Sequence, residues 1–229
     1  MAKLKKIGIL GGTFDPPHLA HLKLATHFSQ LLHLDELLLI PSGEPWQKNL
    51  DITPAQTRLQ MTEAAGVDLA SDFLNFKIAT QIRVDHIEMD RAGPSYTLDT
   101  VKALRESFGP QVSLTWLMGA DTLLNLPTWN SWEQLLNYVN LAVASRPHHD
   151  LSTQMDPKIK TLLAKHQCSD PDTLEKSPFG RIYLDKSLAI DLSSTQLRNQ
   201  LKNASKGGTA SEYISPHVLE IITNLGLYK

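Results

Sequence analysis

The stretch Ile7–His21, IGILGGTFDPPHLAH, decides how the rest of the chain is interpreted. Its apolar start, Ile7–Leu10, is typical of a buried strand in a parallel sheet. The glycine pair Gly11–Gly12 ends that strand where the backbone must turn sharply or approach a ligand closely. The amphipathic stretch from His18 to about Leu32 predicts a helix. Because the first N–H groups of a helix have no partner within it, this arrangement predicts an anion-binding site.

Two histidines distinguish this turn from the common phosphate-binding loops. The sequence contains neither G-x-G-x-x-G nor G-x-x-x-x-G-K-[S/T] here, and instead places His18 and His21 on one side of the first helical turn. A structural zinc site is one alternative, but such a site takes about four ligands. No cysteine pair or third nearby histidine supplies them. Histidines packed only for structure are the other alternative, and neither explains the glycine pair.

Composition and charge exclude several classes of function. A chain of 229 residues can form one substantial α/β core and is short for two domains, so we expect a single domain over residues 1–229. A net charge of −2 and an isoelectric point near 6.5 give no electrostatic reason to expect a nucleic-acid partner. The single cysteine, Cys168, excludes an internal disulfide and suits a reducing cytoplasm.

The hydropathy pattern also gives no reason to expect a membrane partner. No apolar run approaches the ~20 residues that span a bilayer, because polar residues interrupt Leu31–Ile40. The first residues lack the apolar core of a signal peptide. We therefore expect a cytoplasmic protein that does not bind membranes.

The order of apolar runs predicts the fold. A second run, Leu37–Ile40, completes a strand–helix–strand unit, which implies a parallel sheet with a right-handed crossover. The expected fold class is therefore α/β: a Rossmann-like, doubly wound, mainly parallel sheet with helices on both faces and a C-terminal helical segment. Further strands are predicted over Phe73–Ile78, Ile82–Met89, Val112–Met118, Leu141–Ala144, Arg181–Leu184 and Leu188–Leu192, and helices over Thr53–Ala65, Ser95–Leu104, Pro157–His166 and Tyr213–Tyr228.

Polar motifs follow several of these strands, where parallel sheets bind their ligands. Lys48 lies in the loop after the second strand, Gly119–Asp121 follows a later strand, and Arg146 follows another. The hydroxyls of Ser193–Thr195 precede a helical pattern that includes Arg198. Capping a helix would use one hydroxyl, whereas three of them with an arginine one turn on indicate phosphate binding.

The stretch GGTFDPPHLAH resembles the G-G-T/S-F-D-P-x-H-x-G-H signature of the nucleotidyltransferase superfamily, whose members transfer a nucleotidyl group and release pyrophosphate. Arg91–Thr100 resembles the R-x-G-x-S-Y-T-x-D-T block of the bacterial nicotinate-nucleotide adenylyltransferases, and Leu192–Arg198 resembles the I-S-S-T-x-I-R motif of the superfamily. The chain departs from these patterns at Ala20, at Leu192 and Leu197, and in the EPWQK segment, where only the lysine matches. The resemblance covers most of the chain except about 148–180.

This resemblance implies a function and a set of site residues. The chain would transfer the adenylyl group of ATP to nicotinate mononucleotide, giving deamido-NAD and pyrophosphate, with Mg²⁺ entering on ATP and no dedicated metal site. His18, His21 and Arg198 would be catalytic. The residues that would bind ATP are Gly11, Gly12, Thr13, Phe14, His18, His21, Gly119, Asp121, Ser193, Ser194, Thr195 and Arg198, and those that would bind the acceptor are Lys48, Thr97, Trp129 and Arg146.

Two alternatives stay open at this point. A related adenylyltransferase would use another acceptor, such as nicotinamide mononucleotide or pantetheine phosphate; Arg91–Thr100 and Trp129 argue against it. A nucleotide-binding regulator would keep the fold without turnover; the presence of His18, His21 and Arg198 argues against that. The oligomeric state does not follow from the sequence.

Overall fold

A computed structural model describes residues 4–46, 52–145, 155–188, 197–198, 201 and 210–228. Within these residues seven strands form one sheet, in the order β3-β2-β1-β4-β5-β7-β6. Every paired neighbour is parallel. The strands are β1 (Lys5–Gly12), β2 (Glu36–Pro41), β3 (Gln81–Val84), β4 (Val112–Gly119), β5 (Asn140–Ala144), β6 (Gln167–Cys168) and β7 (Ile182–Asp185).

The described helices connect these strands and cover the sheet. None of them is both long enough and apolar enough to cross a bilayer. The α-helices are α1 (Leu19–Leu31), α2 (Ala55–Asn75), α3 (Thr97–Phe108), α4 (Ala120–Asn125), α5 (Pro157–His166), α6 (Asp172–Glu175) and α7 (Pro216–Leu225), and short 3₁₀ segments span Leu126–Thr128, Trp132–Asn137 and Ala210–Tyr213.

Two hydrophobic clusters lie on opposite faces of the sheet, because successive side chains of a strand point to opposite sides. On β1, Ile7 and Ile9 belong to the cluster that includes α3 and α5, whereas Leu10 belongs to the cluster that includes α1, α2 and α7. Fully buried side chains such as Phe28 on α1 and Leu69 on α2 contribute about 1.5–3 kcal/mol each to folding. The predicted doubly wound sheet with helices on both faces is confirmed.

The strand order places a ligand crevice between β1 and β4. The chain moves outward from β1 through β2 to β3, then returns to the other side of β1 with β4. Ligands of open α/β sheets bind outside the carboxyl ends of the strands at such a reversal. At the end of β1 only glycine fits, because a Cβ on Gly11 would lie 2.5 Å from the Trp116 ring of β4.

Two strand predictions differ from the structure. The strand predicted over Phe73–Ile78 is wrong, because α2 continues to Asn75. Ala65, Leu69 and Phe73 repeat every four residues and pack as one buried helical stripe. The strand predicted over Ile82–Met89 ends at Val84, where Asp85 begins a turn by accepting a hydrogen bond from the Ile87 N–H at 3.0 Å. The strand predicted over 188–192 lies outside the described residues except for Leu188.

Candidate active site

A cavity of about 500 Å³ opens at the carboxyl edge of the sheet, beside the ends of β1 and β4. Its volume falls within the range of about 300–1,000 Å³ that is usual for small-molecule sites. The cavity joins the turn between β1 and α1 to the starts of α3 and α4. The sequence-predicted site residues that line it are Gly11, Gly12, Thr13, Phe14, His18, His21, Thr97, Gly119, Asp121 and Trp129.

The other predicted site residues do not line the described part of the cavity. Arg198 does not line the cavity but contacts the turn between β1 and α1, where its Nη1 donates to the Asp15 carbonyl at 2.6 Å. Lys48, Arg146, and Ser193, Ser194 and Thr195 lie outside the described residues.

The two histidines are held by the start of α1. The His18 backbone N–H donates to Nδ1 of His21 at 3.2 Å, and the His21 N–H donates to the His18 carbonyl at 2.8 Å. Their rings stack with centroids 3.7 Å apart. Because Nδ1 of His21 accepts a hydrogen bond, the proton of its neutral ring lies on Nε2.

Phe14 shapes the turn that precedes these histidines. It has a φ of 49°, a left-handed value that is uncommon for a bulky residue. Its side chain is buried, and its ring meets His21 edge-on with centroids 5.1 Å apart. The Asp15–Pro16 peptide bond that follows is cis. The turn therefore combines a closely packed aromatic ring with a compact backbone.

Aromatic side chains flank the far end of the cavity. Trp129 follows the 3₁₀ segment after α4 and meets Trp116 at 83°, with centroids 6.4 Å apart. Thr97 is the first residue of α3. Trp132 is 6% exposed and belongs to the core. The structure therefore separates the two neighbouring tryptophans: Trp129 lines the cavity, and Trp132 lies in the core.

Arg58 is a site-supporting residue to which sequence reasoning assigned no role. It lies on α2, and its side chain is 1% exposed. Burial lowers the pKa of this guanidinium, and the nearby Asp15 opposes that effect. The guanidinium joins the turn after β1 to the loop after β2, and the carbonyls that accept its hydrogen bonds belong to Thr13 (2.9 Å), Ser42 (2.5 Å), Gly43 (2.8 Å) and Thr53 (3.0 Å).

Sequence reasoning also missed Glu88 and Ser95. Glu88 lines the cavity at 5% exposure and accepts a hydrogen bond from the Thr100 hydroxyl at 2.7 Å. Burial raises the pKa of this carboxyl above its usual range. The Ser95 hydroxyl accepts from the N–H groups of Gly43 and Glu44 at 3.0 and 3.1 Å. The signal available in the sequence for Ser95 was its place in the Arg91–Thr100 block, whereas Glu88 lay within a predicted strand.

Metal-binding side chains do not cluster in the described part of the chain: no three His, Cys, Asp or Glu residues there lie close enough together to hold a metal ion. The described lining of the cavity contains two acidic side chains, Glu88 and Asp121, and no lysine or arginine. Within these residues, donors for an anionic ligand are therefore backbone N–H groups, hydroxyls, side-chain amides, indole N–H groups and the two histidines.

Comparison with known proteins identifies the class. Residues 9–200 match the family described as cytidylyltransferase-like. A solved structure of Plasmodium falciparum nicotinic acid mononucleotide adenylyltransferase, complexed with NaAD, has a similar fold, with a TM-score of 0.68 at 20% identity, covering 98% of this chain and 97% of that one. The chain therefore belongs to the cytidylyltransferase-like family, a class of nucleotidyltransferases.

Curated relatives narrow this class. The chain is 36% identical to a protein of Pseudomonas syringae pv. tomato over 98% of its own length and 94% of the relative's. It is 38% identical to one of Aeromonas salmonicida, over 97% of each. A third, from Herminiimonas arsenicoxydans, is 34% identical over 97% of this chain and 96% of the relative. Each is named "Probable nicotinate-nucleotide adenylyltransferase", and the chain is a member of that family.

Replacing Arg58 by methionine tests its support of the cavity. Because the change leaves four carbonyls without their guanidinium donor, we expect the free energy of unfolding to fall by about 3 kcal/mol or more, measured by urea titration. The matched control is Arg83→Met, which removes a half-exposed arginine from β3 and should cost less than about 1 kcal/mol. Similar losses for the two variants would contradict the assignment.

Replacing Glu88 by glutamine tests the buried carboxyl. Because its folded-state pKa is raised, folding favours the protonated form, so its contribution to stability is greatest at low pH and is lost as pH rises through the folded pKa. We expect the melting temperature of Glu88→Gln, relative to wild type, to increase between pH 4 and pH 8. Glu106→Gln, at an exposed position on α3, is the control. A relative melting temperature for Glu88→Gln that stays constant or falls would reject the interpretation.

Proposed function

We propose that this chain transfers the adenylyl group of ATP to nicotinate mononucleotide, forming deamido-NAD and pyrophosphate as a step in NAD biosynthesis. The observation that supports this most directly is the composition of one cavity. The glycine turn with His18 and His21 lines one part of it, and Thr97 and Trp129 line another. These are the motifs through which the chain resembles nicotinate-nucleotide adenylyltransferases. We further propose that residues 1–229 form a single domain of this kind.

In this proposal, ATP lies on the turn between β1 and α1. Backbone N–H groups of Gly11–Phe14 and the start of α1 face its phosphates, since helix starts bind anions. His18, His21 and Arg198 contribute hydrogen bonds and charge, and the start of α4 lies beside the nucleotide. Ser193, Ser194 and Thr195, which lie outside the described residues, complete the phosphate site. Lys48 and Arg146 are proposed to act on the substrate side.

The acceptor supplies its own nucleophile. A phosphate monoester has a second pKa near 6, so at neutral pH most of it is dianionic. Its oxygen attacks the α-phosphorus of ATP, the new P–O bond forms, and the bond to the departing pyrophosphate breaks. No side chain has to remove a proton for this step, which agrees with roles for His18, His21 and Arg198 as donors.

The protein therefore acts by alignment and by charge stabilisation. Holding two reactants in line can contribute about 7–11 kcal/mol to the lowering of the barrier, and each preorganised donor at developing charge adds roughly 3 kcal/mol. Mg²⁺ is proposed to enter with ATP, held by phosphate oxygens and water. When bound, it neutralises charge on the departing pyrophosphate.

Selection of the acceptor depends on how the cavity binds a carboxylate. Nicotinate has a carboxylate where nicotinamide has a neutral amide. Thr97 is the first residue of α3, where the partial positive charge of a helix start favours anions. Backbone N–H donors suit a carboxylate, whereas the NH₂ of an amide would meet them donor to donor. Trp129 is proposed to stack on the pyridine ring. This contact does not distinguish the carboxylate from the amide.

Replacing His18 by alanine tests the phosphate contact. Loss of one preorganised donor should lower kcat by about a hundredfold or more, measured as pyrophosphate release from ATP and nicotinate mononucleotide. The control is His33→Asn, which changes an exposed histidine with a positive φ that asparagine tolerates. A folded His18→Ala enzyme that turns over within about threefold of wild type would exclude a role for this residue in the chemistry.

The choice of acceptor is tested with a panel of nicotinate mononucleotide, nicotinamide mononucleotide and pantetheine phosphate. We expect nicotinate mononucleotide to be preferred by at least about a hundredfold in kcat/KM, because an amide would leave buried donors unpaired. Thr97→Val should reduce the rate with the acid more than with the amide, and Trp129→Ala should reduce both alike. Equal use of both nucleotides by wild type would overturn the assignment. Absence of pyrophosphate release with any acceptor would favour the nucleotide-binding regulator.

A further inference from the structure

Tyr228 returns from the far end of the chain to the turn between β1 and α1. It follows α7, and its hydroxyl donates a hydrogen bond to Oδ1 of Asp15 at 2.5 Å. The same hydroxyl accepts a hydrogen bond from the Thr53 hydroxyl at 3.3 Å. Nothing in the sequence patterns relates this tyrosine to the GGTFDPPHLAH stretch, which lies more than 200 residues earlier.

The residue that Tyr228 contacts is a buried aspartate. Asp15 is 1% exposed, so its carboxylate requires hydrogen-bond partners in place of water. Oδ1 accepts from Tyr228, and Oδ2 accepts from the Thr53 backbone N–H at 3.4 Å. The shorter of these two hydrogen bonds is the one from the tyrosine hydroxyl. Removing it therefore takes away the strongest neutral donor of this carboxylate.

Among the described residues, the cation that forms an ion pair with this carboxylate is a proposed catalytic residue. Nη1 of Arg198 lies 3.9 Å from Oδ2 of Asp15, while it donates to the Asp15 backbone carbonyl at 2.6 Å. His18 follows Asp15 by only three residues. Asp15 therefore lies next to both Arg198 and His18, two residues that are proposed to contact ATP.

The tyrosine stays protonated while the enzyme works. Burial raises the pKa of the Tyr228 hydroxyl, and the hydrogen bond to Asp15 raises it further. At neutral pH the hydroxyl therefore acts as a donor toward Asp15.

We propose that Tyr228 is a positioning residue for the ATP half of the site: its hydroxyl holds the Asp15 carboxylate, so that Arg198 is anchored on the Asp15 carbonyl and remains directed at ATP. This proposal rests on the proposed function for the role of Arg198. Without the hydroxyl, Arg198 would replace the lost donor, because its Nη1 already lies 3.9 Å from Oδ2 whereas the guanidinium of Arg58 already donates to four carbonyls. The guanidinium would then shift toward Asp15 and away from the phosphates, whereas Thr97 and Trp129, at the acceptor side, would keep their geometry.

The test is Tyr228→Phe, with Tyr213→Phe as the matched control. Tyr213 is an exposed tyrosine that precedes α7 and does not line the cavity. We expect Tyr228→Phe to lower kcat by about tenfold and to raise KM for ATP by about fivefold, the size of one hydrogen bond to a charged group. KM for nicotinate mononucleotide should stay within about twofold of wild type, and the control should match wild type in all three constants. A parallel rise of both KM values with a large fall in melting temperature would show a merely structural role and overturn the proposal.

A binding measurement separates this proposal from the proposed function. Affinity for a non-reactive methylene analogue of ATP, measured by calorimetry, does not depend on turnover. We expect Tyr228→Phe to bind the analogue about fivefold more weakly than wild type. If wild type binds the analogue but adenylates no acceptor, the proposed function fails, and this comparison alone decides the role of Tyr228. Equal affinities for the two proteins would overturn that role.

A double-mutant cycle tests whether the tyrosine acts through Asp15. In an Asp15→Asn background, Tyr228→Phe should change analogue affinity by less than about twofold, because residues that act through one contact are not additive. Full additivity would contradict the proposed route. If Asp15→Asn does not fold, the comparison of single variants with the analogue decides the outcome.

Discussion

The buried guanidinium of Arg58 is the constraint on which the site depends. One side chain from α2 donates to carbonyls in the turn after β1 and in the loop after β2. Neither segment has ladder partners for these carbonyls, and a buried carbonyl without a donor is costly. The buried apolar stripe of α2 fixes this helix against the core. The guanidinium of Arg58 therefore holds the two loops in place relative to the core. Ser95 reinforces the second loop from the side of α3 by accepting from Gly43.

The charge of the cavity lining is a second constraint on the site. The cavity would bind two highly anionic substrates, yet its described lining has two acidic side chains and no lysine or arginine. The raised pKa of Glu88 reduces the repulsion that this carboxyl exerts. Attraction must then come from dipoles at helix starts, from His18 and His21, from Arg198 beside the turn, and from basic or hydroxyl groups of motifs outside the described residues. Fixed N–H dipoles also require little rearrangement when charge moves onto pyrophosphate.

Secondary structure shows where local patterns are sufficient and where they fail. The run LLLI in β2 is covered on both faces, so its continuous apolar character identified it correctly. The same criterion failed at Phe73, because a short apolar run can belong to a helix as readily as to a strand. What decided between them was the burial of Phe73 beside Leu69 in the stripe of α2, a tertiary fact. The predicted helix Pro157–His166 is confirmed at both ends, and Asp156 caps its start by accepting a hydrogen bond from the Lys158 N–H.

The sequence by itself determined the glycine turn, the α/β class, the family and ten of the residues that line the cavity, because each motif that carries them consists of residues close together in the chain. Only the tertiary structure revealed the groups that hold the cavity in place. In the sequence, Arg58 has the pattern of an ordinary helix arginine and Glu88 that of a strand residue. Their burial follows only from the packing of α2 under two loops and from the neighbours of Glu88 in the folded protein. Tyr228 meets Asp15 only because α7 packs on α2 and returns the chain to β1. Such contacts join segments far apart in sequence, so no local pattern encodes them.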